Sequence, residues 1–167
     1  MGWVEEIAEA LAEHGVDYIA YLPDSRIWPL IERLESDDRF DVHVVAREEE
    51  AVGLLAGAWL GGRRGALMCQ TAGLSNSLNA LAGVSKPWGL PFVGIVSRRG
   101  GLGEHNRAQV PTGYPMPRVL DEIGIRNHTI EGVETARRTT ELSIQTAFST
   151  EEPHVLFVEQ QLTEGEG

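Results

Sequence analysis

The chain has 167 residues, of which 42 % are hydrophobic. It can bury a substantial core, and one domain spanning 1–167 is the expectation. Fourteen basic residues against 25 acidic ones give a net charge of −11, which repels nucleic-acid backbones and argues against a DNA- or RNA-binding role. No apolar run approaches the roughly 20 residues that span a bilayer, and the opening Met1-Gly2-Trp3-Val4-Glu5-Glu6 lacks a basic-then-apolar signal pattern, so a cytoplasmic location is expected.

Short apolar runs alternate with stretches of helical period, the pattern of a mostly parallel six-stranded sheet in a three-layer α/β/α domain. In chain order the helices are expected at about 2–14, 25–36, 48–61, 75–85, 118–123 and 133–149. The strands are expected at about 18–22, 41–46, 65–70, 91–97, 126–130 and 154–159. Gly15, Gly61-Gly62 and Gly124 fall where helices should stop. Segment 97–117 is rich in glycine and proline, has neither period, and is expected to be a long functional loop. The acidic tail 163–167 is expected to fray. Cys69, the single cysteine, sits in the apolar run Ala66-Leu67-Met68-Cys69 and reads as a buried structural thiol. Lys86 is the sole lysine, and an acidic, lysine-poor surface would suit a high-salt cytoplasm.

Parallel sheets bind ligands beyond the carboxyl ends of their strands. The four exits of interest read Leu22-Pro23-Asp24-Ser25, Ala46-Arg47-Glu48-Glu49-Glu50, Gln70-Thr71-Ala72-Gly73-Leu74-Ser75-Asn76 and Ser97-Arg98-Arg99-Gly100. Three glutamates opening a helix satisfy the macrodipole whatever else they do. Gly53, Ala56 and Gly57 follow Glu49 at spacings of four, seven and eight, and such a stripped helix face admits another backbone, as in a subunit contact. A carboxylate at the buried end of that seam would be desolvated and partly protonated. At the third exit, Ser75 or Asn76 can cap a helix, or the small residues can keep the turn low so that a flat ring lies against it. Asp24 is equally readable as a helix cap.

Glu49 with Ala56-Gly57-Ala58-Trp59, then Gly65-Ala66-Leu67 and Gln70-Thr71-Ala72-Gly73-Leu74-Ser75-Asn76, resembles the pyrimidine-binding (PYR) domain of thiamine-diphosphate enzymes. The likeness runs from about residue 3 to 160. Within the family it leans to the phosphonopyruvate and sulfopyruvate decarboxylases, the small α subunit of the two-chain sulfopyruvate enzyme in particular. In the family's register the catalytic carboxylate precedes the alanine of Ala56-Gly57-Ala58-Trp59 by seven residues, which selects Glu49 and leaves Glu48 and Glu50 as flanking charges. Val52 and Ala58 replace the family's usual alanine and glycine.

The resemblance implies that Glu49 hydrogen-bonds N1′ of the cofactor's aminopyrimidine ring. It implies further that Asp24 handles protons near the reacting carbon, and that Thr71, Gly73 and Asn76 line the pyrimidine side. The loop's Arg98, Arg99 and Arg107, with His105 and Gln109, would meet the acid group of a sulfonated or phosphonated 2-oxo acid, for which arginine's fork is suited. The cofactors implied are thiamine diphosphate and Mg²⁺. The family holds the metal and diphosphate through a Gly-Asp-Gly segment and a following asparagine, a stretch that this sequence does not contain. A β subunit carrying that domain is therefore the expected partner, in an α₂β₂ or larger assembly, and no metal ligand is assigned to this chain. His14, His43, His128 and His154 show no ligand-like spacing and read as structural or exposed. Carboligation or acyl transfer on the same domain is a second possibility. A Rossmann-like nucleotide module is disfavoured, because Gly101-Leu102-Gly103 lies in a long loop and no P-loop lysine is present. A non-catalytic remnant of the fold is disfavoured by the intact Glu49 register.

Overall fold

The computed structural model describes residues 2–164. Helix α1 (Trp3–Glu13) buries Trp3, Ile7, Ala8, Ala10 and Leu11, an apolar stripe at helical spacing. Strand β1 (Val16–Tyr21) leads to α2 (Trp28–Glu35), β2 (Asp41–Val44), α3 (Glu48–Leu60) and β3 (Arg64–Gln70). Then follow α4 (Thr71–Asn76), α5 (Leu78–Ala80), a π turn (Leu81–Ser85) and β4 (Val93–Ser97). The chain closes with α6 (Val110–Gly113), α7 (Met116–Glu122), β5 (Arg126–Ile130), α8 (Val133–Thr150), β6 (His154–Val158) and α9 (Gln160–Glu164). All six expected strands are present and every pairing is parallel, in the order β2-β1-β3-β4-β6-β5.

Side-chain alternation along the central strands divides the core into two layers. Ala66 and Met68 of β3, with Leu156 and Val158 of β6, pack toward α1, α2 and α8 among Ile7, Leu11, Ile31 and Ile144. Leu67 and Cys69, with Val155 and Phe157, face the opposite way, toward Val52, Leu55, Leu74, Leu81 and Leu120. Each fully buried side chain of this size contributes roughly 1.5–3 kcal/mol by removal from water. Cys69 is fully buried and burial holds its thiol pKa well above the ordinary value, as the structural assignment expects.

Several boundaries differ from the sequence expectation for identifiable reasons. Helix α2 begins at Trp28 rather than Ser25, because Ser25–Ile27 form a turn and Pro29 occupies the first helical turn, where proline is tolerated. The helix expected at 75–85 starts directly on β3 at Thr71, breaks at Ser77 and ends as the π turn. Segment 97–117 is not structureless: it holds α6, and α7 starts at Met116, each opened by a proline. Gly100 and Gly113 make this loop possible. A Cβ on Gly113 would fall 2.0 Å from the Arg99 carbonyl oxygen, and one on Gly100 would fall 2.8 Å from the Tyr114 nitrogen. Thr163 and Glu164 belong to α9, while residues 165–167 of the expected frayed tail lie outside the described residues. Among the described residues no helix is long and apolar enough to cross a membrane.

The connection from β1 runs to β2 on one side of the sheet, and β3 then lies on β1's other side. Ligand crevices in open parallel sheets form where the connections diverge in this way, outside the carboxyl ends. Asp24 lies just past β1, and α4 begins directly past β3, so both border that crevice.

Candidate active site

The three glutamates that open α3 do different things. Glu50 Oε2 accepts the Ala46 N–H at 2.9 Å and so ties the first turn of α3 to the segment that enters it. Glu49 Oε1 is 2.8 Å from Arg47 Nε at the rim of the site, and its side chain is 41 % exposed. Glu48 turns inward across the exit of β3, where a Cβ on Gly73 would meet its Oε1, Cδ and Cγ. Burial first, and then the charges of Glu48 and Asp24, push the Cys69 thiol pKa up, so both carboxylates act on the end of β3.

Along α3, Gly53 and Gly57 are exposed, with nothing within 4 Å of where a side chain would begin. Ala56, grouped with them in the sequence reading, is instead buried in the core, because it follows Val52 by one helical turn. The open face consists of Gly53, Leu54, Gly57 and Leu60, with Leu60 77 % exposed. Exposed Val84 and Trp88, beyond α5, add to the apolar surface that the described residues leave uncovered.

At the exits of β3 and β4, Thr71 and Gly73 are buried and Asn76 is exposed at the end of α4. Thr71 Oγ1 accepts the Arg99 N–H at 3.2 Å, tying the two exits together. Gln70 and Ser97 are register partners on adjacent strands. Gln70 Oε1 and Ser97 Oγ are both buried without a hydrogen-bond partner, a costly condition unless something else satisfies them.

The loop arginines do not act alike. Arg98 Nη1 binds Glu159 Oε1 at 2.7 Å and its backbone N–H binds the Val158 carbonyl. Arg99 forks onto Glu104 through Nε at 2.8 Å and Nη2 at 3.2 Å. These bonds hold the Glu104 carboxyl below the usual carboxylate range and raise the Arg99 guanidinium pKa. Arg26 joins them: Nη2 is 3.6 Å from Glu104 Oε2 and 2.6 Å from Gln160 Oε1, and Nη1 donates to the Arg98 carbonyl at 2.9 Å. His105 and Arg107 are exposed, and Gln109 Oε1 is buried without a partner. Arg98, Arg99 and Arg107 therefore do not converge, because internal carboxylates hold the first two. Asp24 is 7 % exposed and its Oδ1 accepts the N–H groups of Arg26 and Ile27; it closes the turn 25–27 and does not cap α2, because that turn puts the helix start at Trp28 and leaves Ile27 as the cap residue.

Sequence reasoning missed Arg26, Glu104, Gln70 and Ser97. For Glu104 a signal existed, since it is the one acid between Ser97 and Pro117, among three arginines. The residues fit the pyrimidine half of thiamine diphosphate on two observations: the orphaned polar atoms of Gln70 and Ser97, and two carboxylates on the first turn of α3, Glu49 accessible at the rim and Glu48 against the bare backbone of Gly73.

A parallel α/β sheet with an acid-opened helix and a small-residue turn beside its switch point has the form of a ligand-binding α/β domain. The family model described as "Thiamine pyrophosphate enzyme, N-terminal TPP binding domain" matches residues 1–114. The sulfopyruvate decarboxylase subunit alpha of Methanococcus maripaludis is 36 % identical over 121 residues, covering 72 % of each chain. The sulfopyruvate decarboxylase of Methanosarcina acetivorans is 32 % identical over 160 residues, 96 % of this chain but 41 % of that protein. The phosphonopyruvate decarboxylase of Streptomyces viridochromogenes is 38 % identical over 104 residues, 62 % of this chain and 26 % of that one. The chain belongs to the thiamine pyrophosphate enzymes, as their N-terminal cofactor-binding domain.

Proposed function

We propose that this chain is the α subunit of a two-chain, thiamine-diphosphate-dependent 2-oxo-acid decarboxylase in the cytoplasm, acting on sulfopyruvate or phosphonopyruvate. The carrying observation is the match, over 72 % of both chains, to a protein named as a sulfopyruvate decarboxylase α subunit. The longer Methanosarcina protein aligns with nearly all of this chain and has more than half its length left over, as expected if a separate β subunit supplies here what is fused there. That partner would hold the diphosphate and Mg²⁺, and the apolar surface of Leu54, Leu60 and Trp88 is where it would close.

Thiamine diphosphate, when bound, supplies the carbon nucleophile that attacks the 2-oxo group and the electron sink that lets carbon dioxide leave. Glu49 holds a proton at N1′ of the aminopyrimidine ring, a role for which its place at the rim, reachable from a neighbouring chain, is suited. Glu48 lies over Gly73, where it would border a bound ring. Thr71 fixes the loop, and the unpaired Gln70 Oε1 and Ser97 Oγ, with Asn76, would supply polar contacts to a bound ring. Asp24, held by the turn it closes, would move protons near the reacting carbon. Arg98, Arg99 and Arg107, with His105 and Gln109, would face the substrate's acid group by the family resemblance, with Arg98 and Arg99 first released from Glu159 and Glu104.

The test is assembly with the partner, thiamine diphosphate and Mg²⁺, followed by carbon dioxide release from sulfopyruvate, phosphonopyruvate and pyruvate. Release from the sulfonate or phosphonate with formation of the aldehyde is expected. A coupled product of two oxo acids, or no release, would sink the decarboxylase reading.

A further inference from the structure

Glu104 is surrounded by donors in a way that a loop tether alone does not require. Its carboxylate, with a side chain only 2 % exposed, takes the Nε and Nη2 of Arg99 and the N–H groups of Gly100 at 3.2 Å and Asn106 at 2.9 Å. Arg26 Nη2 lies at 3.6 Å. A guanidinium fork beside backbone N–H groups is the chemistry that holds carboxylate, sulfonate or phosphonate.

The cluster already holds carboxylates against its cations. Guanidiniums of Arg26, Arg98 and Arg99 meet the carboxylates of Glu104, Glu159 and Asp24 among the described residues. An incoming anion gains little from such a cluster unless one resident carboxylate leaves. Asp24 is fixed by the turn before α2, and Glu159 directly follows β6. Glu104 sits on a segment that is neither helix nor strand, next to Gly103 at φ +87° and near Gly100 at φ +75°, positions that L side chains rarely adopt. Of the three, it is the one whose backbone can move without dismantling an element.

We propose that Arg26 and Arg99, with the Gly100 N–H, form an anion site that Glu104 fills as a resident carboxylate, and that the acid group of an anionic ligand enters by displacing Glu104. The site deepens the reading in which this loop meets the substrate's acid group, and rests on that reading only for the ligand's identity. Arg26, unmarked in the sequence, thereby becomes a binding residue.

The experiment is a titration of the isotope-labelled full chain with sulfate at constant ionic strength, with acetate as a parallel arm, read by nuclear magnetic resonance at the Arg99 Nε–H and the Gly100 amide. Saturable shifts at both positions are expected. E104Q should bind sulfate about tenfold more tightly, the scale of a displaced charge-assisted hydrogen bond. E104D, which keeps the charge on a shorter arm, should fall between the two, and R99Q in the E104Q background should lose binding. Shifts that grow linearly without saturating, or an E104Q chain that binds no more tightly than the wild type, would overturn the proposal. Sulfate preferred over acetate assigns a tetrahedral acid group, and the reverse assigns a carboxylate. Because this titration uses no partner, cofactor or turnover, its outcome is separate from that of the carbon dioxide assay.

Discussion

Glu48 and Gly73 share one volume: a Cβ on Gly73 would fall 1.8 Å from Glu48 Oε1 and 2.3 Å from its Cδ. The carboxylate of one strand exit rests on the bare backbone of the next, so the positions of α3 and α4 over the crevice depend on each other. G73A should displace the flexible end of Glu48 rather than break the fold, since alanine regains up to about 1 kcal/mol of helix propensity. Thermal unfolding should shift by only a few degrees, while half-saturation by thiamine diphosphate rises several-fold. An unchanged cofactor requirement would show that Glu48 does not shape the site.

Glu49 and Glu48 should separate in turnover. E49Q is expected to lose about 10²–10⁴-fold in kcat, the usual contribution of a placed proton-transfer group, and E48Q markedly less. Steady-state rates of the assembled enzyme check this, and equal losses would reassign the register.

The open face of α3 predicts a split between folding and assembly. G57L should leave the isolated chain's melting temperature unchanged or raised, because nothing lies within 4 Å of that position. Co-purification with the β subunit should fall sharply, because a leucine there would hold the partner's backbone away. A G57L chain that assembles normally would remove α3 from the interface.

Thr71→Val should leave the Arg99 N–H without its acceptor. For a partly buried donor the loss should lie at the low end, about 1 kcal/mol, and denaturant unfolding of the single chain reads it directly. No loss would mean that the loop re-pairs elsewhere.

His154 Nε2 lies 3.0 Å from His128 Nδ1, and burial, then the charges of His128 and Arg126, lower the His154 pKa to about 4. The folded value lies below the ordinary 6.5, so the folded chain binds fewer protons than the unfolded chain between those limits, and stability rises with pH across that window. Acidifying from pH 7 to pH 4 should remove about 3 kcal/mol from this group alone, and H154F should flatten that part of the pH-stability curve. A curve of unchanged slope in H154F would place the dependence on other groups.

The sheet was legible because its central strands are continuous apolar runs and because Gly15, Gly62 and Gly124 take positive φ at turns where helices end. The family register picked out Glu49 from three adjacent glutamates, but not the inward turn of Glu48, which depends on Gly73 some two dozen residues later. Arg26 was invisible for the same reason, since it meets a carbonyl 72 residues away. Periodicity reports which face a side chain takes, not which distant strand exit it joins. His128 and His154 read as unrelated until β5 and β6 lay side by side, His128 opposite Leu156 and His154 opposite Arg126.

The lone thiol sealed between β1 and β4 gives the chain a natural reporter. Cys69 is fully buried and strongly protonated, so an alkylating reagent can reach it only when the middle of the sheet parts. Labelling rates at a single sulfur would therefore clock global opening without any engineered probe, and slower labelling on addition of the β subunit or coenzyme would measure how firmly each clasps the fold.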